Sequence, residues 1–135
     1  MIRLCVTLTR QQLLTDNDRL HHMAKAAKVK VLRTKARYAA LADRASIRPV
    51  DTWPVTVRVV YQFPTGRHPT DANNLAATTK ALVDGVTDSG LIFPDDSTTY
   101  VEGQDSRINP EPSRDPRGLV RAVITVRPVC QHCAA

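Results

Sequence analysis

Ile2, Leu4, Val6 and Leu8 alternate with Arg3, Cys5, Thr7 and Thr9 at the start of the chain. A period of two sends successive side chains to opposite faces of a sheet, so this stretch predicts a half-buried strand. "TDNDRLHH" is polar, with Asp16 and Asn17 as turn formers, and predicts a loop. In "AAKVKVLRTKARYAALADRA" the period changes. Val31, Thr34, Tyr38, Leu41 and Ala45 recur at helical spacing, while Arg33, Lys35, Arg37 and Arg44 fall largely elsewhere. That is the pattern of a basic amphipathic helix. Pro49 and Pro54 in "IRPVDTWP" end it.

"VTVRVVYQF", Val55 to Phe63, is β-branched and aromatic and is the strongest strand signal. "PTGRHPT" predicts a loop. A second helix is expected from about Leu75, with Leu75, Thr79, Leu82 and Val86 on one face and Ser89-Gly90 as its stop. "GLIFPDDS" is an apolar run closing in a turn, and "TTYVEGQ" predicts a short strand. "DSRINPEPSRDPR" carries three prolines in 13 residues and predicts a long exposed loop. "GLVRAVITVRPV" alternates again and predicts a last strand. No internal repeat is evident.

Strand, helix, strand, helix, short strand, strand is the order of an α+β fold. It predicts a single mixed β-sheet of about four strands with two main helices packed on it. The expected limits are one domain at 1–128 and a C-terminal tail at 129–135. The strand pairing order is not specified by the pattern.

A length of 135 residues suits one domain able to bury a core without metal or disulfide staples. With 42% hydrophobic and 24% charged residues the chain is globular rather than disordered. No run approaches the roughly 18 apolar residues of a membrane span, so no membrane association is expected. "MIRLCVTLTRQQ" has no long apolar stretch and no small-residue cleavage site, which predicts no signal peptide. Three cysteines make no disulfide framework, and a reducing cytoplasm is expected.

The distribution of charge is more informative than the net +6. Residues 69–105 hold seven acids and one base, Lys80. From Arg19 to Arg48 there are nine bases against Asp43 alone. A surface that basic attracts a polyanion, of which nucleic acid is the usual one, although basic runs also serve general solubility. Carboxylates repel phosphate, so an acidic cluster beside such a surface makes sense mainly if it holds a cation.

Asp71 stands just before the second helix, and Asp95-Asp96 follow Phe93-Pro94. Taken separately, Asn73 and Asn74 are helix-capping types and Asp95-Asp96 suit a type I turn. Together, a carboxylate before a helix and an adjacent pair at a strand-side turn offer the oxygen ligands that Mg²⁺ takes. Such an ion polarises a phosphodiester and activates water. Lys80, off the apolar helix face, fits either a surface pair with Asp84 at i+4 or a cation that offsets charge building on the phosphate.

These residues resemble the RusA-type Holliday junction resolvases, common in phages and prophages. The family's pattern is roughly D-x-D-N, a helix carrying a lysine, D-[AG]-[LV], and a D-D pair before a strand. The matching residues are Asp71, Asn74-Leu75, Lys80-Ala81-Leu82, Asp84-Gly85-Val86, Gly90 and Asp95-Asp96; upstream, Asn17 and Arg19 match an Asn-containing loop. The likeness spans most of the chain, with its specificity in residues 71–96. Two departures stand out. Asn73 replaces the family's second aspartate, and Lys80 lies six residues after Asn74 where the best-known members have three.

The resemblance implies a homodimeric endonuclease that uses Mg²⁺, with Mn²⁺ as an alternative, to cut four-way DNA junctions. It implies Asp71, Asp95 and Asp96 as metal ligands, with Asn73 as a further candidate. Lys80 would act on the phosphate at the point of cleavage. Asn17, Arg19, Lys28, Lys30, Arg33, Lys35, Arg37 and Arg67 would hold the junction arms, and the location would be the cytoplasm of a bacterial host if the chain is phage-encoded. A two-fold dimer matches a junction with two symmetry-related scissile phosphates.

Two other classes stand beside this one. A resolvase-like protein that binds branched or single-stranded DNA without cutting it is favoured by Asn73. A small basic RNA- or ribosome-associated protein accounts for the charge but not the acidic cluster. Cys130, His132 and Cys133 form half a zinc site at most and read more simply as a tail. His21, His22 and His68 read as surface residues.

Overall fold

The computed structural model describes residues 1–15, 21–47, 54–65, 67–69, 71–94, 97 and 99–129. Four strands are β1 (Ile2–Leu8), β2 (Val55–Gln62), β3 (Val101–Asn109) and β4 (Val120–Pro128). Two helices are α1 (His22–Ala42) and α2 (Ala76–Ser89), and short 3₁₀ turns occupy Arg10–Gln12 and Ala72–Leu75. The strands form one mixed sheet in the order β1-β4-β2-β3. β4 is antiparallel to both β1 and β2, and β2 and β3 are parallel. The architecture is α+β. β1, β2 and β3 therefore all run in one direction, and α2 is the crossover that a parallel pair requires.

Strand alternation decides which face is covered. Leu4, Val6 and Leu8 of β1, Val55, Val57, Val59 and Tyr61 of β2, and Val120, Ala122, Ile124 and Val126 of β4 are buried. They join the buried residues of both helices in one cluster, so both helices cover the same face. Each such side chain contributes roughly 1.5–3 kcal/mol by leaving water. The intervening positions, among them Arg3, Arg58, Arg121 and Arg127, lie on the opposite, open face.

Leu75, Thr79, Leu82 and Val86 are all buried, as the helical period of this segment predicts. Gly90, in the left-handed conformation at φ 68°, ends α2. The first helix differs. It starts at His22, where the His21 side chain accepts a hydrogen bond from Met23 N–H. Its buried stripe is Leu32, Ala36 and Ala40, not the Val31/Tyr38 face. Val31 is 40% exposed and Tyr38 61%. The reason is the closeness of α2: Gly85 of α2 packs against the backbone of Arg33 and the β-carbon of Ala36 on α1. Beside Gly85 only the small side chain of Ala36 fits, and Tyr38 turns outward.

The second difference is at "DSRINPEPSRDPR". Asp105–Asn109 is not loop but the second half of β3, paired with Arg58–Gln62. Its polar residues hide the strand because their partners lie on β2, on α2 and within β3 itself. Asp105 bonds Arg58 and Arg107, and the Ser106 hydroxyl bonds Thr79. At the expected domain limit, Val129 N–H donates to the carbonyl of Pro54. Cys130, His132 and Cys133 lie outside the described residues.

Candidate functional site

The ends of the strands locate the candidate site. Leu14, just beyond the C-terminal end of β1, exchanges two hydrogen bonds with Thr78: its N–H donates to the hydroxyl at 2.8 Å, and its carbonyl accepts at 2.7 Å. The first turn of α2 therefore sits at the edge where β1, β2 and β3 finish. In open sheets with parallel strands this carboxyl edge is where ligands bind.

Asp71 stands at that edge. It is exposed, and its Oδ1 accepts the backbone N–H of Asn73 at 2.9 Å, while its carbonyl accepts Asn74 N–H. The capping oxygen is thus Asp71's and not that of Asn73 or Asn74, since the residue preceding the turn faces the unpaired N–H groups. Asn73 is exposed and Asn74 half-buried. Carboxylate and carboxamide oxygens are hard donors of the kind Mg²⁺ takes, so Asp71 and Asn73 fit that ion in donor type. Among the described residues, no group of three or more His, Cys, Asp or Glu side chains is placed to hold a metal ion. Asp95 and Asp96 lie outside the described residues. The described residue Ser97 lies near the start of β2, at the opposite edge of the sheet from Asp71. Tyr100 and Val101 donate to the Ser97 carbonyl, and Tyr100's own carbonyl accepts from Val55 at the start of β2. The 14 residues of α2 span roughly 20 Å.

Lys80 is exposed on α2 and bonds Asp84 at 2.8 Å, the i,i+4 pair that the spacing allows. Arg67, in the loop between β2 and Asp71, is exposed, and its N–H donates to the Thr65 hydroxyl. A base that the sequence did not single out joins it there. Arg10, in the 3₁₀ turn after β1, donates Nη2 to the same Thr65 hydroxyl at 3.0 Å. Its guanidinium also lies 5.3 Å from the centroid of the Phe63 ring. The residues are 55 apart in sequence, and only the parallel course of β1 and β2 brings them together.

The bases of α1 divide into two sets. Lys28 donates to the carbonyl of Leu13 at 3.3 Å, and Lys35 donates to the carbonyl of Thr7 and to Gln12 Oε1 at 2.8 and 3.0 Å. These two tie α1 to the end of β1 and to the segment after it. Lys30, Arg33 and Arg37 instead line a groove of about 720 Å³ with His22, Lys25 and Asp88. Arg33 makes a two-pronged bond to Asp88, at 3.0 and 2.8 Å. That bond, aided by the nearby charges of Arg33 and Arg37, holds the Asp88 carboxyl below its ordinary range despite partial desolvation. Asn17 and Arg19 lie outside the described residues.

No protein-family model matches the chain, and none of the curated proteins matches it. Among the described residues, no helix is long and apolar enough to cross a membrane.

Proposed function

We propose that this protein is a metal-dependent endonuclease of branched DNA, with four-way junctions as its substrate class and a homodimer as its working form. The observation that carries the reading is the exposed carboxylate of Asp71. Its bond to Asn73 N–H holds it at the start of the turn before α2, four positions after Arg67, whose N–H shares the Thr65 hydroxyl with Arg10. A carboxylate among bases repels a phosphate unless a cation lies between them, and Asp71 with Asn73 offers oxygen donors for one. The sequence likeness of residues 71–96 to the RusA-type resolvases is what brings Asp95 and Asp96 into the reading. Their described neighbour Ser97 stands near the start of β2, away from Asp71, so Asp71 with Asn73 carries the metal site at this edge. Bound Mg²⁺ (or Mn²⁺) supplies Lewis-acid polarisation of the scissile phosphate.

The chain's own residues do the rest. Arg67 and Arg10 hold backbone phosphates beside Asp71. Lys30 and Arg37 of the α1 groove draw in a further stretch of DNA by charge, giving salt-sensitive affinity. Lys80, exchanging Asp84 for the phosphate, offsets negative charge in the transition state. Work on DNA in a bacterial cytoplasm fits this reading.

The alternative, a protein that binds branched DNA without cutting it, is favoured by Asn73, which supplies no charge where the family has a second aspartate. A synthetic four-way junction distinguishes the two. The proposal expects paired nicks in Mg²⁺, none in EDTA, and loss of cleavage in Asp71→Asn and in Asp95→Asn with Asp96→Asn. Tight junction binding without cleavage in Mg²⁺ or Mn²⁺ selects the alternative.

A further inference from the structure

The sheet face turned away from both helices carries charge that the α1 groove does not account for. Strand register sets Arg121 level with Thr7 and Gln62, and Val123 level with Cys5 and Val60. It sets Thr125 level with Arg3 and Arg58, and Arg127 level with Thr56. On β3, Asp105 is level with Arg58 and Arg107 with Val60. Five arginines thus share this face, and Asp105 is the only carboxylate that the paired register puts among them.

Asp105 bonds two of the five and offsets one of their two charges. It accepts from Arg58 Nε at 2.9 Å and from Arg107 Nε at 3.0 Å. The other three, Arg3, Arg121 and Arg127, line a shallow groove of about 230 Å³ whose floor is Val60 and Val123. Gln62 and Asn109 extend it, and its described lining includes no acidic side chain. Among the described residues, the hydrogen-bond partner of Arg121 Nε is the Cys5 thiol, at 3.4 Å.

We propose that this open face is a second DNA surface that grips the phosphate backbone of one arm, on the side of the protein opposite α1. This rests on the DNA-binding part of the function proposed above. Guanidinium groups are fixed forks of donors that match phosphate oxygens. Arg121 and Arg127 lie six positions apart on β4, roughly 20 Å, and base pairs rise by about 3.4 Å, so the row reaches several successive phosphates. Among the described residues, no aromatic side chain lines the groove, and Tyr61 and Phe63 of the neighbouring strand segment are buried. It therefore lacks the stacking platform of a single-strand binder and suits duplex backbone. Two copies of the face set against each other would juxtapose like charges, which disfavours a self-interface. With α1 on one side and this face on the other, two arms leaving a branch point in different directions each meet a basic surface.

The test compares wild type with the triple variant Arg3→Gln, Arg121→Gln and Arg127→Gln, measuring junction binding by fluorescence anisotropy over a range of salt. All three arginines are exposed, so the thermal midpoint should be unchanged. The expected result is at least roughly tenfold weaker binding near 0.1 M salt, and a plot of log K against log salt shallower by about 2 to 3. A parallel variant, Lys30→Gln with Arg37→Gln, separates the claims. If it weakens binding while the triple variant keeps wild-type affinity and slope, the second surface is overturned and the DNA reading stands. If wild type binds no DNA, both fall. Cys5, exposed on the same face, gives a second readout in a Cys130→Ser, Cys133→Ser background. Bound junction should slow its maleimide labelling. An unchanged rate overturns the proposal, as does slowing that follows protein concentration without DNA, which would mark a self-interface.

Discussion

Gly85 of α2 faces the carbonyl oxygen of Arg33 on α1 so closely that a β-carbon there would overlap it, and would lie 2.8 Å from the Cβ of Ala36. The two helices touch through backbone, and Gly85 is the residue that permits it. Because the obstacle is backbone, a larger residue forces the helices apart rather than displacing a side chain. Gly85→Ala should cost about 1–3 kcal/mol, as overpacked cores do. Thermal or urea unfolding measures it. A change within about 0.5 kcal/mol would show that the seam yields.

A second prediction concerns the buried hydroxyls. Tyr61 OH bonds Thr79 Oγ1 at 2.8 Å, which bonds Ser106 Oγ at 2.7 Å. Burial raises the Tyr61 pKa far above its ordinary value, with the Thr79 bond opposing it in part, so the phenol stays protonated and needs a partner. Thr79→Val strands both hydroxyls and should cost about 1–3 kcal/mol. Adding Tyr61→Phe should recover part of that loss, because no buried hydroxyl then lacks a bond on that side. A double-mutant cycle by urea unfolding reads the coupling, and strictly additive losses would contradict the chain.

Acid titration tests the Arg33–Asp88 clasp between the helices. Its bond lowers the Asp88 pKa from the ordinary 3.8, so the folded state holds fewer protons there than the unfolded chain. The clasp's contribution is therefore complete above that ordinary value and is lost as pH falls through the lowered one. Both side chains are more than a third exposed, so screening limits it to below about 1 kcal/mol. Asp88→Asn should destabilise by that amount at pH 7, and its difference from wild type should shrink in strong acid. A difference that holds constant with pH would contradict the assignment.

Local sequence period located most of these elements. β1 and β4 alternate cleanly, and Gly90 announced the end of α2. What it could not contain was the neighbour. Ser106 and Asp105 read as loop because their partners, Thr79 and Arg58, are far along the chain. The Val31/Tyr38 face looked apolar enough to bury, but Gly85 decided that the smaller Ala36 and Ala40 faced inward. Asp71 was legible as a candidate from its place before a helix. Arg10 beside Thr65, and Arg3 beside Arg121 and Arg127, were not, since strand order alone unites them.

Lys80→Met isolates the proposed role of the α2 lysine. Its pair with Asp84 is exposed and adds a few tenths of a kcal/mol to stability at most. Stability and junction affinity should therefore change little, while single-turnover cleavage should fall about a hundredfold or more. A variant that cuts at the wild-type rate would reduce Lys80 to its ion pair.

The central claim meets its most direct test in one assay: purified wild-type protein with an end-labelled four-way junction and a linear duplex of the same sequence, each in Mg²⁺ and in EDTA. The account predicts symmetrical nicks near the branch point of the junction, only in Mg²⁺, with the linear duplex left whole. A junction that is bound yet stays intact in Mg²⁺ and in Mn²⁺ would contradict it.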